Sequence, residues 1–200
     1  MMNCDFKCMK GIAFDIDGVV ADVMKPIREN CRETFGHDYD HTKETSYDLG
    51  PALGIDDEAV VTAYVNHCLS KWEEIPIDPT AGLLMESLYV HTGRAIPFVT
   101  HRHRNPMETA TYDLMESFIK VPFTISFAGG TSYQTHKKSV YIPEGYCFVE
   151  DRRATAVALA SEGILTFLVR TPYNKLDSRQ YMSRIIEVND LKDVYDIYFA

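Results

Sequence analysis

Asp15-Ile16-Asp17-Gly18-Val19-Val20, entered from the apolar run Ile12-Ala13-Phe14, decides how this chain is read. The run has the composition of a buried strand, and Gly18 marks the turn that ends it. Side chains two apart on a strand point the same way, and in a parallel α/β sheet the carboxyl ends of the strands face the ligand crevice. Asp15 and Asp17 are therefore expected to share one mouth, where one carboxylate attacks while its neighbour moves a proton. Two acids side by side resist simultaneous ionisation, so the pair demands a metal ion, a lysine or both. A plain Asp/Gly turn is the competing reading of these residues taken alone.

Three later segments supply groups that phosphoryl chemistry needs. Ala95-Ile96-Pro97-Phe98-Val99 runs into Thr100-His101-Arg102, where a hydroxyl and backbone N–H groups can hold phosphate oxygens at a strand end. Lys137-Lys138 stands in a stretch otherwise short of positive charge and can neutralise a nucleophile and a phosphoryl group. Cys147-Phe148-Val149-Glu150-Asp151 is another apolar run ending in adjacent acids, a hard oxygen pair that suits Mg²⁺. Each has a bland alternative: a cap for Thr100, solvated lysines, and acids favoured by a helix N-terminus near Arg152.

In order, these four segments resemble the haloacid dehalogenase-like (HAD) phosphohydrolase superfamily over about residues 10 to 175. Within it, Asp17-Gly18-Val19-Val20-Ala21-Asp22, Phe148-Val149-Glu150-Asp151-Arg152 and Thr171-Pro172-Tyr173-Asn174 look most like 5'(3')-deoxyribonucleotidase-like proteins. The resemblance implies an Mg²⁺-dependent phosphomonoester hydrolase in which Asp15 is the nucleophile and forms an aspartyl-phosphate. Asp17 would protonate the leaving alkoxide and then deprotonate water. Thr100, His101 and Lys138 would bind phosphate. Asp15, Asp17 through its carbonyl, Asp151 and Glu150 would hold the metal. Lys138 is preferred to Lys137 because Lys138-Ser139-Val140 matches the family's lysine, small polar, aliphatic order. His101 and Glu150 depart from the family pattern, which often has a small residue or serine at the first position and aspartate at the second. The expected substrate is a deoxynucleoside monophosphate. Sugar phosphates or other small phosphomonoesters are the first alternative, and a noncatalytic phosphate-binding regulatory domain is the second.

Composition is that of an ordinary globular chain: 200 residues, 46% hydrophobic and 24% charged. A net charge of -9 argues against nucleic-acid polymers and anionic membranes as partners. A small anion would then need local neutralisation, for which Arg102 and Arg104 are candidates beside the lysine and the metal. Five cysteines, Cys4, Cys8, Cys31, Cys68 and Cys147, lack paired zinc-ligand spacing and fit a reducing cytoplasm. No apolar run approaches the roughly 18 to 20 residues of a membrane span, and no signal-peptide pattern opens the chain.

About eighty residues separate the first motif from the strand before Thr100, far more than one βα crossover needs. Met24, Ile27, Cys31 and Phe35 follow helical spacing after Asp22, with Gly36 as a stop. Asp56-Asp57-Glu58 open a second helix with Val60, Ala63, Tyr64, His67 and Cys68 on one face. Residues 22–77 are thus expected to form a helical cap, with 1–21 and 78–200 as the catalytic core. Tyr47, Tyr64 and Trp72 are candidate stacking residues for a nucleobase, with core packing the alternative. The rest alternates strand and helix, predicting an α/β, Rossmann-like core with a parallel sheet of about five strands. The family's strand order would be 5-4-1-2-3. The remaining expected helices bury Leu84, Leu88 and His91; Ala110, Leu114 and Phe118; and Ala154, Val157 and Ala158. A last helix is placed over about 178–187.

Overall fold

The computed structural model describes residues 9–43, 49–129, 137–171, 174 and 183–200. In chain order its elements are β1 (Gly11–Phe14), α1 (Met24–Glu29), α2 (Cys31–Phe35), α3 (Gly50–Leu53), α4 (Glu58–Ser70) and α5 (Ala81–Thr92). Then come β2 (Ile96–His103), α6 (Arg104–Phe118), β3 (Phe123–Gly129), β4 (Tyr146–Glu150), α7 (Arg153–Ser161), β5 (Thr166–Val169), β6 (Ile185–Val188) and α8 (Leu191–Phe199). The strands form one parallel six-stranded sheet in the order β3-β2-β1-β4-β5-β6. The expected α/β core is present, with the anticipated five-strand order extended by a sixth strand at one edge.

β1 is buried along its whole length because both faces of the sheet are covered, which is why its sequence is apolar without alternation. The period of two nonetheless sorts its side chains. Ile12 and Phe14 join Phe98, Cys147, Val149 and Phe167 against Leu84 and Leu88 of α5, Leu114 of α6 and Leu191 of α8. Ala13 faces the other way, with Val99, Phe148 and Leu159 of α7. Phe14, Phe98, Phe148 and Phe167 are fully buried, each contributing about 1.5–3 kcal/mol of transfer free energy.

Chain order reverses across β1, which lies between β2 and β4. The crevice at the carboxyl ends of these strands is therefore the topological switch point where α/β sheets bind ligands.

Helices α1 to α4 carry a second apolar cluster of their own, centred on Ile27, Cys31, Leu53, Tyr64 and Cys68. The two crossings that connect this insertion to the sheet are stitched together. Ala21 bridges Ile77 antiparallel, Asp22 N–H donates to Pro76 O at 2.8 Å, and Asp78 N–H donates to Val20 O at 3.0 Å. Asp57 starts α4 as a true N-cap, accepting from Ala59 N–H at 2.9 Å.

Several sequence expectations shift. Ile185-Ile186-Glu187-Val188 is the edge strand β6 rather than the end of a helix, paired with β5 from Thr166↔Ile185 to Val169↔Val188. Its β-branched residues fit a pleated surface, and the true final helix starts only after the Asp190 cap. Residues 178–182 of the expected helix lie outside the described residues. Helix α4 buries Tyr64, Cys68 and Leu69, whereas Val60, Ala63 and His67 are exposed. The stripe of α7 is Ala156, Leu159 and Ala160, with Ala154 and Ala158 exposed. Alanines carry little phase information, and Leu159 sets which side packs. In α6 the buried set is Met107, Thr111, Leu114 and Met115; Ala110 and Phe118 are half-buried. His91 at the end of α5 is exposed.

Cys31, Cys68 and Cys147 are free, buried thiols; Cys4 and Cys8 lie outside the described residues. Among the described residues no helix is long and apolar enough to cross a membrane.

Candidate active site

Asp15 follows the last residue of β1, Glu150 ends β4, and Asp151 follows it, so three carboxylates meet at the switch point. Each offers an oxygen within 4.8 Å of the others, and all three residues are buried. Lys138, in a short 3-10 turn (Lys138–Tyr141), reaches into the same place. Its Nζ donates to Asp15 Oδ2 and, at 2.9 Å, to Glu150 Oε2, with no exposed side-chain surface. The ring of Phe148 lies 5.5 Å away and closes the other side. Lys137 stays on the surface, paired with Glu162 at 3.2 Å.

The electrostatics follow from this enclosure. Burial pulls the Lys138 ammonium down, but the Asp15 and Glu150 carboxylates outweigh it and raise its pKa above the ordinary lysine value. Burial also dominates at Asp15 and holds its carboxyl well above the usual carboxylate range. Lys138 opposes that shift, while Glu150 and Asp17 add to it. Glu150 is raised for the same reason, with Lys138 opposing and Asp151 reinforcing.

Three buried acids around one ammonium make an acid-rich, all-oxygen donor set. A divalent hard cation fits that set, and its own charge would reverse the upward pKa shifts. Local backbone geometry also accommodates the donors. Gly18 has φ +73°, and a Cβ there would stand 2.2 Å from Asp151 Oδ2, so only glycine lets that carboxylate lie against the turn. Asn174, itself buried, donates from Nδ2 to Asp151 O at 2.6 Å and ties the segment after β5 to the acid. Its side-chain oxygen accepts from Thr171 N–H at 2.9 Å. Pro172 and Tyr173 of that stretch lie outside the described residues.

Asp17 does not join the acidic trio. Its carboxylate is gripped by Arg102, whose Nε lies 3.1 Å from both oxygens and whose Nη2 lies 2.6 Å from Oδ1. Thr100, expected beside phosphate, is fully buried and accepts the Arg102 N–H on Oγ1 at 3.1 Å. His101 is half-buried with its pKa pushed down to about 3, first by burial and then by Lys138 and Arg152. It is thus a neutral imidazole near neutral pH. Arg104 lies outside the cluster, paired with Glu108 at 3.6 Å and set over the Phe127 ring.

The sequence reading missed Asn174 as a support and Arg102 as an internal partner. For Arg102 strand phase offered no signal, because the register of β2 against β3 shifts between Thr100 and His103.

Neither cap aromatic that the structure describes faces the acids. Tyr64 is buried in the second cluster and donates from its hydroxyl to Ile27 O at 2.6 Å. Trp72 packs against the main core, and Tyr47 lies outside the described residues. A cavity of about 790 Å³ opens between α3, α4 and Arg152, the residue after Asp151. Leu49, Pro51, Ile55, Val61 and Val65 give it an aliphatic wall; among the described residues no aromatic lines it.

A Rossmann-like sheet with a buried lysine and a carboxylate cluster at its switch point defines a fold with a recognisable acidic centre. The chain has the haloacid dehalogenase-like fold. A haloacid dehalogenase-like hydrolase from Streptococcus pneumoniae superposes with TM-score 0.64 at 16% identity, covering 97% of this chain and 100% of that one. CbbY from Rhodobacter sphaeroides, solved in complex with phosphate, gives 0.59 at 16% identity over 89% and 93%. An L-2-haloacid dehalogenase gives 0.66 at 11% identity over 96% and 99%. The sequence matches no protein-family model and no curated protein.

Proposed function

We propose that this chain is an Mg²⁺-dependent phosphomonoester hydrolase working through an aspartyl-phosphate on Asp15. One observation carries the reading: Lys138 bridges Asp15 and Glu150 beside Asp151, at the mouth formed by β1 and β4. Asp15 attacks phosphorus as the ester P–O bond breaks, and Asp17 delivers a proton to the departing alkoxide. Asp17 then takes a proton from water, which attacks phosphorus and releases Asp15 and inorganic phosphate. Lys138 offsets charge on the attacking carboxylate and the transferring group. Thr100, the neutral His101 and the backbone after Asp15 bind nonbridging oxygens. Asp15, Glu150, Asp151 and the Asp17 carbonyl are the residues that would hold Mg²⁺, which when bound supplies Lewis-acid neutralisation of phosphoryl oxygens. Residues 22–77 act as the cap that selects the substrate.

Nucleotidase-like flanking residues support a deoxynucleoside monophosphate as substrate. The aliphatic wall of the cavity beside Arg152 favours a second reading, a small phosphomonoester without a base. Phosphate release across deoxynucleotides, sugar phosphates and short alkyl phosphates, with 2-haloacids as a control, tests both. Preferential turnover of deoxynucleotides supports the first, and turnover of only the others removes it. Halide release without any phosphatase activity overturns the proposal.

Metal binding has its own readout. Mg²⁺ at a hundred times its dissociation constant is expected to stabilise the fold by about 2.7 kcal/mol. Thermal unfolding with and without chelator measures this, and Asp151→Asn is expected to remove most of the shift. An equal shift in Asp151→Asn would place the ion elsewhere.

A further inference from the structure

We infer that Arg102 is the positioning residue for Asp17, clamping the acid–base carboxylate through a side chain that the strand β2 is bent to deliver. The inference rests on the proposed hydrolase reading and adds a residue to it.

The clamp is built from several independent features. The Arg102 side chain is 1% exposed, and one edge of its guanidinium faces the Asp17 carboxylate through Nε and Nη2. A two-nitrogen grip of this kind fixes rotation about the carboxylate as well as its distance. The opposite edge is anchored: Nη1 donates to Thr111 Oγ1 at 3.2 Å, and Thr111 in turn donates to Met107 O at 2.7 Å. Thr111 is fully buried in α6, so the guanidinium is held between that helix and Asp17.

Backbone geometry aims the side chain. β2 and β3 pair in register through Thr100↔Phe127, but the next pair is His103↔Gly129. Three steps on β2 therefore match two on β3, a bulge that re-aims the residues it contains. Gly129 permits this close approach, since a Cβ there would lie 2.3 Å from His101 O and 2.6 Å from Arg102 O. The Arg102 N–H is satisfied by Thr100 Oγ1. A surface arginine pairing with whatever acid is nearby would need none of these supports.

Proton delivery is sensitive to placement: an error of about 1 Å in a reacting group costs on the order of a hundredfold. Freed from Arg102, the Asp17 carboxylate, whose side chain is 18% exposed, would turn toward water. Arg102→Met is thus expected to lower kcat/KM for an alkyl phosphate by about a hundredfold. For p-nitrophenyl phosphate, whose leaving group departs without a proton, the loss should be only severalfold. kcat/KM reports the phosphorylation half-reaction, which separates the acid role from later steps. Arg102→Lys, which keeps the charge but not the two-edged geometry, should rescue only part of the loss. Thr111→Val, which spares both charges, should show the same leaving-group pattern at smaller amplitude. On an Asp17→Asn background Arg102→Met should add little for either substrate. Equal losses on both phosphates, or full additivity with Asp17→Asn, would overturn the clamp while leaving the hydrolase reading intact. Wild-type protein inactive on both phosphates would overturn the two together.

Discussion

Replacing Lys138 with methionine is expected to cost about 3–5 kcal/mol of folding stability at neutral pH, because it strands buried carboxylates without their shared counter-charge. Asp15 and Glu150 both accept from this one ammonium, and neither has solvent to fall back on. The deficit should depend on pH in a defined direction. Burial raises both acids above their unfolded values of 3.8 and 4.5, so the folded state binds protons more tightly than the unfolded chain. Their contribution is fully present below those unfolded values and is lost as pH rises through the raised folded ones. Without Lys138 the folded pKa values rise further and the loss deepens. The gap between variant and wild type should therefore be smallest in acid and widen toward neutral pH. Urea unfolding at several pH values measures it, and a pH-independent gap would mean that packing rather than charge accounts for the loss.

Asp15→Asn is expected to behave in the opposite way: catalysis collapses while the fold persists. Removing a covalent nucleophile from a site that acts as a unit costs on the order of 10⁴-fold or more in turnover. Stability should change far less than in Lys138→Met, since an amide needs no counter-ion and Lys138 keeps Glu150. The comparison separates a reacting group from a structural one. Phosphate release comparable to wild type from Asp15→Asn would remove the covalent route.

How far the sequence carried this picture depends on what each segment encodes locally. Ile12 to Gly18 combines a strand pattern with a turn glycine, so its place at a sheet's carboxyl end was legible from the residues themselves. The same holds for Phe148 to Asp151. Lys138 was legible only through its likeness to a family motif, because nothing local distinguishes it from surface-exposed Lys137. Arg102 was misjudged as part of a cluster serving substrate. Its burial depends on a β-bulge and on Gly129 in the next strand, and no periodicity within β2 encodes either. Helix phase failed where alanine dominated, as in α7, and in α4, where Val60 and Val61 both fit an apolar stripe but only Val61 is drawn toward the insertion's cluster. The last helix was misplaced because Ile185 to Val188 owes its strand identity to pairing with β5, a contact between segments far apart in sequence.

The account stands or falls on a phosphoryl group passing through Asp15. Acid quenching of the enzyme during turnover with Mg²⁺ and a phosphomonoester, followed by peptide mass spectrometry, looks for it directly. The expected result is one phosphoryl group on the peptide containing Asp15, absent after chelation and absent in Asp15→Asn. Sustained turnover with that peptide unmodified at every quench time, and with Asp15→Asn still active, would contradict it.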